Sequence, residues 1–508
     1  MNIELLIRFA KQKGIIHEED ESLIRNSLLD LFDKAEPYSG ELPQGEIETI
    51  QEILNPLLDE GYQVGLIPEN TTTYRDLLEA KIMGLVVPRP SEVIRTFKET
   101  AHAKGIKQAT DDFYKLSIDS NYIQMDRIAK NLYWRTLTNF GELEITINLS
   151  KPEKDPKEIE KLRDLPQSNY PKCLLCAENV GFRGNLNHPA RQNHRIIPLE
   201  MANEKWYFQY SPYVYYNEHC IVLSANHTPM TMTGKTFERL LAFVEQFPHY
   251  FLGANAGLPI VGGSIMSHEH YQGGRHEFPM EIAPIEQHFT HKDYPGVHMG
   301  IVRWPLSVIR LSSINKDDVI KLATDILGIW REYSDPSVGI LAYSDENGEK
   351  TPHNTITPIA RKNKQGEYEL DLTLRNNRRS KEHPEGIFHP HRHLHHIKKE
   401  NIGVIEVMGL AVLPGRLSTE LSQIADEIGK EKLEIAPESE LKKHEDWIKS
   451  MRAAHGTSMS REQAQKLIRY EVGQKFAKVL ADAGVYKAND TGKAAFLKFM
   501  DHMGCRRI

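Results

Sequence analysis

The 508-residue sequence predicts an α+β protein in which two similar halves of antiparallel strands and packed helices lie between helical N- and C-terminal regions. Three observations carry that reading. Helical periodicity dominates residues 1 to about 135, strand texture runs from about 165 to 415, and the last stretch returns to helical spacing. The expected organisation is a mainly helical region over 1–160, a first half over 161–300, a second half over 301–420 and a helical region over 421–508.

In the first region, "IRNSLLDLFDKA" and "ETIQEILNPLLDEG" space apolar residues at three- and four-residue intervals, as one face of a helix requires. "RPSEVIRTFKETAHAKG" adds a proline and serine before its apolar stripe and a glycine after it, the usual start and stop signals. "ELEITINL" alternates and is the first clear strand. The charged run "KPEKDPKEIEKLRDLPQS" then reads as a solvated helix or linker and sets a boundary near residue 160. Beyond it, "YVYYNEHCIVLS" is rich in β-branched and aromatic residues. "GKTFERLLAFVEQFPHYF" places Phe237, Leu240, Leu241, Val244 and Phe247 on one helical face. "GVHMGIVRWPLSVIRLSS", "KDDVIKLATDILGIWREYS" and "IGVIEVMGLAVLP" repeat strand, helix, strand, although no sequence repeat marks the two halves. Near the end, "SREQAQKLIRYEVGQKFAKVLADAG" is helical with Ser460 as N-cap.

Composition narrows the function classes. The chain is 40% hydrophobic and 26% charged, with no apolar run of about 18 residues, so a membrane protein is not expected. The N-terminal "MNIELLIRFAKQKG" is spaced like an amphipathic helix and lacks the parts of a signal peptide, which points to the cytoplasm. A net charge of −7 without a basic half gives no footprint for nucleic acid, so any bound phosphate belongs to a small molecule. Four cysteines make no disulfide framework. Cys220 reads as a buried strand residue and Cys505 as part of a polar tail.

The strongest chemical signal is "GGSIMSHEHYQGG" at 262–274. In an extended strand, side chains two apart share a face, so His268, His270 and Gln272 would align at intervals of about 6–7 Å. The bland alternative is a hydrated histidine loop, but the added glutamine and the paired glycines favour a ligand site. A neutral imidazole attacks phosphorus at neutral pH, and a glutamine amide donates to a phosphoryl oxygen as charge develops there. "CLLC" at Cys173–Cys176 has the spacing of half a zinc site, or of a redox or merely buried pair. His188, His194, His219, His227 and His268 are all candidate partners by chain order. "HPEGIFHPHRHLHHIKKE", with His383, His389, His391, His393, His395 and His396, reads as a metal site or a phosphate-facing surface, and Arg375, Arg378 and Arg379 just before it make anionic ligands a natural alternative. "TGKT" at 233–236 is no phosphate loop, because Pro229 occupies the position where that loop needs glycine.

With "CLLC", "SANH" and "GGSIMSHEHYQGG" in this order, the chain resembles the galactose-1-phosphate uridylyltransferases, and specifically their type 2 bacterial branch within the histidine-triad superfamily. "FYKLSIDSNYIQMDRIAKN", "PRPSEV", "NHPARQNHR" and "EGIFHPHRHLHHIKKENIGVIEVMGLAVLPGRL" extend the resemblance over most of the chain. It implies two histidine-triad-like halves and a nucleotidyltransferase of galactose metabolism, the Leloir pathway. The implied ligands are UDP-glucose, UDP-galactose, glucose 1-phosphate and galactose 1-phosphate, and a homodimer is left open. The better-known branch has "HPHGQ" where this chain has "HEHYQ". That correspondence assigns the nucleophile to His270, the phosphate-contacting amide to Gln272, and a structural zinc to Cys173, Cys176, His227 and His268. Asn255, Gly263 and Ser264 match the family's uridine and phosphate contacts, with spacing that differs by a residue or two. Glu269 and Tyr271, which replace Pro and Gly, would point away from the ligand. The family's second metal site is left unassigned here. A phosphorylase or hydrolase of dinucleoside polyphosphates, or a non-catalytic nucleotide-binding module, are the alternatives.

Overall fold

The computed structural model describes residues 1–45, 47–150, 169–346 and 348–508. The charged stretch 151–168, and with it the boundary expected near residue 160, lies outside the described residues. The chain forms two compact units. One comprises Met1–Lys130, Ser150–Thr228 and His268–His270, the other Asn131–Leu149, Pro229–Ser267 and Tyr271–Ile508.

The strands are β1 (Leu132–Thr138), β2 (Gly141–Ile147), β3 (Ile197–Met201), β4 (Glu204–Tyr210), β5 (Cys220–Ser224), β6 (Phe251–Ala254) and β7 (His270–Gly274). There follow β8 (Ile285–His291), β9 (His298–Val302), β10 (Val308–Ser313), β11 (Tyr343–Glu346), β12 (Glu349–Pro352), β13 (Asn354–Lys362), β14 (Tyr368–Asn376), β15 (Leu410–Leu413) and β16 (Cys505–Arg507).

The first unit begins with helices Asn2–Gln12, Glu21–Leu31, Gln51–Gln63 and Thr72–Val86. Their apolar stripes meet in one core that fully buries Leu6, Leu28, Leu54 and Ile82. Helix Pro90–Lys104 starts with proline at its first turn and ends at Gly105 with φ 92°, as its sequence signals require. Phe97 from this helix packs edge-on to Phe113 of helix Ile106–Asp119, and Phe113 in turn lies 5.9 Å from Phe208 of β4. These rings join the helices to the antiparallel meander β3, β4, β5, in which Cys220 is buried as expected.

In the second unit β1 and β2 form a hairpin, β15 lies parallel to β2, and helix Arg461–Ala483 covers them, with Trp134 Nε1 donating to the Arg469 carbonyl at 3.1 Å. The Ser460 hydroxyl accepts from the Gln463 N–H at 3.2 Å, confirming the N-cap. A larger antiparallel run follows the order β16-β8-β9-β10-β14-β13-β6-β7. Helix Gly234–Gln246 faces its core with Phe237, Leu240, Leu241 and Val244 wholly buried. Two expectations need correction. "IGVIEVMGLAVLP" is a short helix, Val404–Val407, followed by β15, because Glu406 Oε2 accepts the Gly403 N–H and closes a helical turn. The "GCRRI" tail is not loose: Cys505 opens β16, pairs with His291 and is buried.

Candidate active site and metal centre

"CLLC" folds as a tight turn in which the Cys176 N–H reaches the Cys173 carbonyl at 3.3 Å. Buried Asn179 clamps that turn, its Nδ2 donating to both the Cys173 and the Cys176 carbonyls at 2.8 Å. The other half of the centre is assembled by main chain. Ser224 N–H donates to the Glu269 carbonyl at 3.0 Å and Glu269 N–H to the Thr228 carbonyl at 2.7 Å, so the segment after β5 and the segment before β7 run side by side. That pairing brings the rings of His227 and His268 to 4.9 Å.

Ligand atoms of Cys173, Cys176, His227 and His268 all lie within 4.8 Å of one another. The two sulfurs are 3.5 Å apart, Cys173 Sγ is 3.3 Å from His268 Nδ1, and Cys176 Sγ is 3.2 Å from His227 Nδ1. Bond lengths of about 2.3 Å to sulfur and 2.0–2.1 Å to nitrogen give a tetrahedral ion edges of roughly 3.3–3.8 Å. These three pairs lie within about half an ångström of that frame while the set as a whole spans up to 4.8 Å, and two thiols with two imidazoles are a donor set that suits zinc. His268 Nε2 donates to the Ser224 carbonyl at 2.8 Å, which leaves Nδ1 bare as the ligand nitrogen. The other histidines considered as partners are engaged elsewhere. His188 Nε2 donates to Asn179 Oδ1 and His194 Nε2 to Gln209 Oε1, while His219 stacks on Tyr215.

His268 precedes β7, and the strand begins at His270, so the shared-face argument applies from His270 onward. The position of His270 is nonetheless well defined. Its Nδ1 lies 2.8 Å from the His268 carbonyl oxygen, and because a carbonyl only accepts, Nδ1 carries the proton. Nε2 is therefore an unprotonated lone pair. Burial, with the neighbouring His268 adding to it, lowers the pKa of His270 to about 4, so the ring is neutral at pH 7. A buried, neutral imidazole with a fixed tautomer is equipped for nucleophilic attack.

In the second unit, half-buried Gln272 sits opposite Gly253 in the β6–β7 pairing, and Tyr271 is buried with its hydroxyl 3.3 Å from Arg239 Nη1. Asn255 is buried, and its Oδ1 accepts the Val404 N–H at 2.9 Å. Gly263 has no room for a side chain: a Cβ there would lie 2.6 Å from Asn255 Nδ2. Ser264 is exposed beside it. The histidine-rich segment forms no metal cluster among the described residues. His391 Nε2 donates to the Ile387 carbonyl, His395 Nε2 to the Pro390 carbonyl, and His396 Nδ1 meets His444 Nδ1 at 2.7 Å. Arg375 and Arg378 donate to the carbonyls of Ile402 and Gly339. Asn179 was not singled out by sequence reasoning, and its one signal is an amide three residues after Cys176, within reach of the turn's carbonyls.

Residues 15–229 match the family model described as galactose-1-phosphate uridyl transferase, N-terminal domain, and residues 243–449 match the C-terminal domain of the same family. A galactose-1-phosphate uridylyltransferase of Caldanaerobacter subterraneus is 60% identical over 100% of this chain and 98% of its own length. Those of Fusobacterium nucleatum and Bacillus subtilis are 52% and 49% identical, over 99% and 100% of this chain and 99% and 98% of their own. Among solved structures, yeast Ap4A phosphorylase Apa2 aligns with a TM-score of 0.31 and 10% identity over 56% of this chain and 81% of that chain, a likeness too remote to bear on the activity.

Proposed function

The chain belongs to the galactose-1-phosphate uridylyltransferase family, and on that premise we propose that it transfers a uridylyl group from UDP-glucose to galactose 1-phosphate through a covalent intermediate on His270. The observation that carries the mechanism is the Nδ1 hydrogen bond of His270 to the His268 carbonyl, which aims an unprotonated Nε2 away from it. Nε2 attacks the α-phosphorus of UDP-glucose, a nitrogen–phosphorus bond forms, and the phosphorus–oxygen bond to glucose 1-phosphate breaks. The phosphate oxygen of galactose 1-phosphate then attacks the same phosphorus, releases His270 and yields UDP-galactose.

No proton changes hands in either step, because both leaving groups are weak bases. The imidazole becomes cationic as the bond to phosphorus forms, and the Nδ1–H bond to a carbonyl strengthens with that charge. Gln272 is assigned to the transferred phosphoryl oxygens, and Asn255, Gly263 and Ser264 to the nucleotide. Zinc on Cys173, Cys176, His227 and His268 would be structural, since four protein ligands leave no open position. The reading places the reaction in the cytoplasm, where sugar phosphates are available. A homodimer is the assembly to test by light scattering.

Incubation with UDP-glucose labelled in its α-phosphate, without acceptor, should leave acid-labile label on the wild-type protein and none on His270→Ala. Label retained at the wild-type level by the variant would remove His270 from the nucleophile role.

A further inference from the structure

The helical region before residue 130 contributes to a cavity of about 750 Å³ within the first unit. One wall comes from helix Thr72–Val86 and the turn after helix Ile106–Asp119, and the other from the segment around Asn185–Asn193. At its polar end stands Glu79, 7% exposed. Its Oε1 accepts two amides, Asn121 Nδ2 at 2.7 Å and Gln124 Nε2 at 2.5 Å. Gln51 Nε2 donates to Asn121 Oδ1 at 3.1 Å and thereby fixes which end of that amide faces Glu79. Asn121 also holds a left-handed backbone, φ 53°, a conformation asparagine tolerates better than most residues. Glu79 Oε2 has no hydrogen-bond partner among the described residues and is not sealed off from the cavity.

A carboxylate is expensive to bury, and this one is held by two amides while one acceptor is left open. Its pKa is raised to about 7, chiefly by burial and then by Asp76. The charges around the cavity cancel. The lining carries two acids, Asp76 and Glu79, and two arginines, Arg127, which is paired with Asp76, and Arg191, which lies over the Tyr122 ring at 5.5 Å. Such a cavity offers hydrogen bonds rather than net charge. That suits neutral hydroxyl donors better than an amine or a metal cation.

We propose that this cavity is a carbohydrate subsite in which Glu79 Oε2 accepts hydrogen bonds from a vicinal pair of hydroxyls on a substrate. The pair belongs either to the ribose of the nucleotide or to the hexose of the sugar phosphate. The assignment rests on the transferase reading for the identity of those ligands, and it gives the N-terminal helical region a task in recognition.

The test is calorimetric titration of wild type and Glu79→Gln with four probes: UMP, 2′-deoxy-UMP, galactose 1-phosphate and 3-deoxygalactose 1-phosphate. At pH 8.5, where the Glu79 carboxyl is ionised, loss of a hydrogen bond to a charged acceptor should weaken one deoxy probe roughly ten- to a hundred-fold on wild type, and Glu79→Gln should erase that difference. Discrimination confined to the UMP pair assigns the ribose, and to the galactose pair the hexose. Wild type binding both pairs alike within two-fold overturns the proposal without reference to any variant, as does discrimination that persists in folded Glu79→Gln. An exchange assay on the same wild-type preparation separates this from the reading beneath it. Exchange without hydroxyl discrimination sinks the cavity alone, while discrimination that depends on Glu79 in a protein with no exchange sinks the transferase alone.

Discussion

The backbone carbonyl of His268 decides the chemistry available to His270, and a second buried histidine shows how the same physics governs stability. His194 donates through Nε2 to Gln209, stacks on Tyr122 at 4.4 Å, and has its pKa lowered to about 3 by burial and by the nearby Arg191. The unfolded chain titrates this group near 6.5. A folded-state pKa below the unfolded one contributes stability that is present above about pH 6.5 and lost as pH falls toward 3, with a limiting slope of about 1.4 kcal/mol per pH unit. Thermal melts between pH 6.5 and 5 should show wild-type stability falling faster than that of His194→Asn. Equal slopes would remove His194 as a source of the acid sensitivity. Among single residues, the closeness of His270 to His268 is legible in the chain, while its role as nucleophile is a proposal. Asn179 and Glu79 were not legible, because an asparagine or glutamate in a helical or turn segment reads as solvated surface until the fold buries it.

At the scale of elements, the candidate metal centre depends on two short segments that cross-link through Ser224, Glu269 and Thr228. Protein purified without a histidine tag should contain about one equivalent of zinc by elemental analysis, reduced in Cys173→Ser. Folded, active protein without metal would dismiss the site. β13 and β14 went unremarked in the sequence for a physical reason. Both are buried on both faces, so they lack the alternation that marks a half-exposed strand, and they carry charges that read as surface. Those charges form a buried network: Asp371 accepts from Arg310 Nε at 2.7 Å, Arg310 Nη2 at 2.9 Å and Arg361 Nη2 at 2.7 Å. Asp371→Ala would remove the central anion, leaving Arg361 to Glu369 and Arg310 to the carbonyls of Met280 and Glu281, and as the loss of one partner of a buried ion pair should cost about 3 kcal/mol in chemical denaturation. A loss under 1 kcal/mol would mean that the arginines find other partners. The short helix at Val404–Val407 was misread because its apolar run matches a strand in composition, and only the Gly403–Glu406 contact decides between them.

For the whole molecule, the order of helical region, mixed halves and helical end was visible in periodicity, whereas the division into two units was not. Segments 131–149 and 229–267 belong to a unit other than the one suggested by chain proximity, and no local pattern records such an exchange. The four candidate metal ligands all belong to the first unit. Chelation should therefore raise hydrogen exchange at 173–179, 224–228 and 268–270 and leave β13 and β14 protected. Uniform deprotection across both units would show instead that the metal supports global stability. No helix among the described residues is long and apolar enough to cross a membrane.

His268 lies in the candidate metal cluster with its side chain and accepts the Nδ1–H of His270, the proposed nucleophile, with its main-chain oxygen. When the metal is removed, the residue most disturbed is thus the one whose carbonyl selects the Nδ1–H form of His270. A histidine released from such a contact leans toward the opposite tautomer, with the proton on Nε2, and then presents a hydrogen where the reaction needs a lone pair. The metal-free enzyme should accordingly be slow rather than dead, its residual rate following the fraction of molecules still in the competent tautomer. Nitrogen-15 chemical shifts of the His270 ring, recorded as chelator is added, would follow that fraction directly.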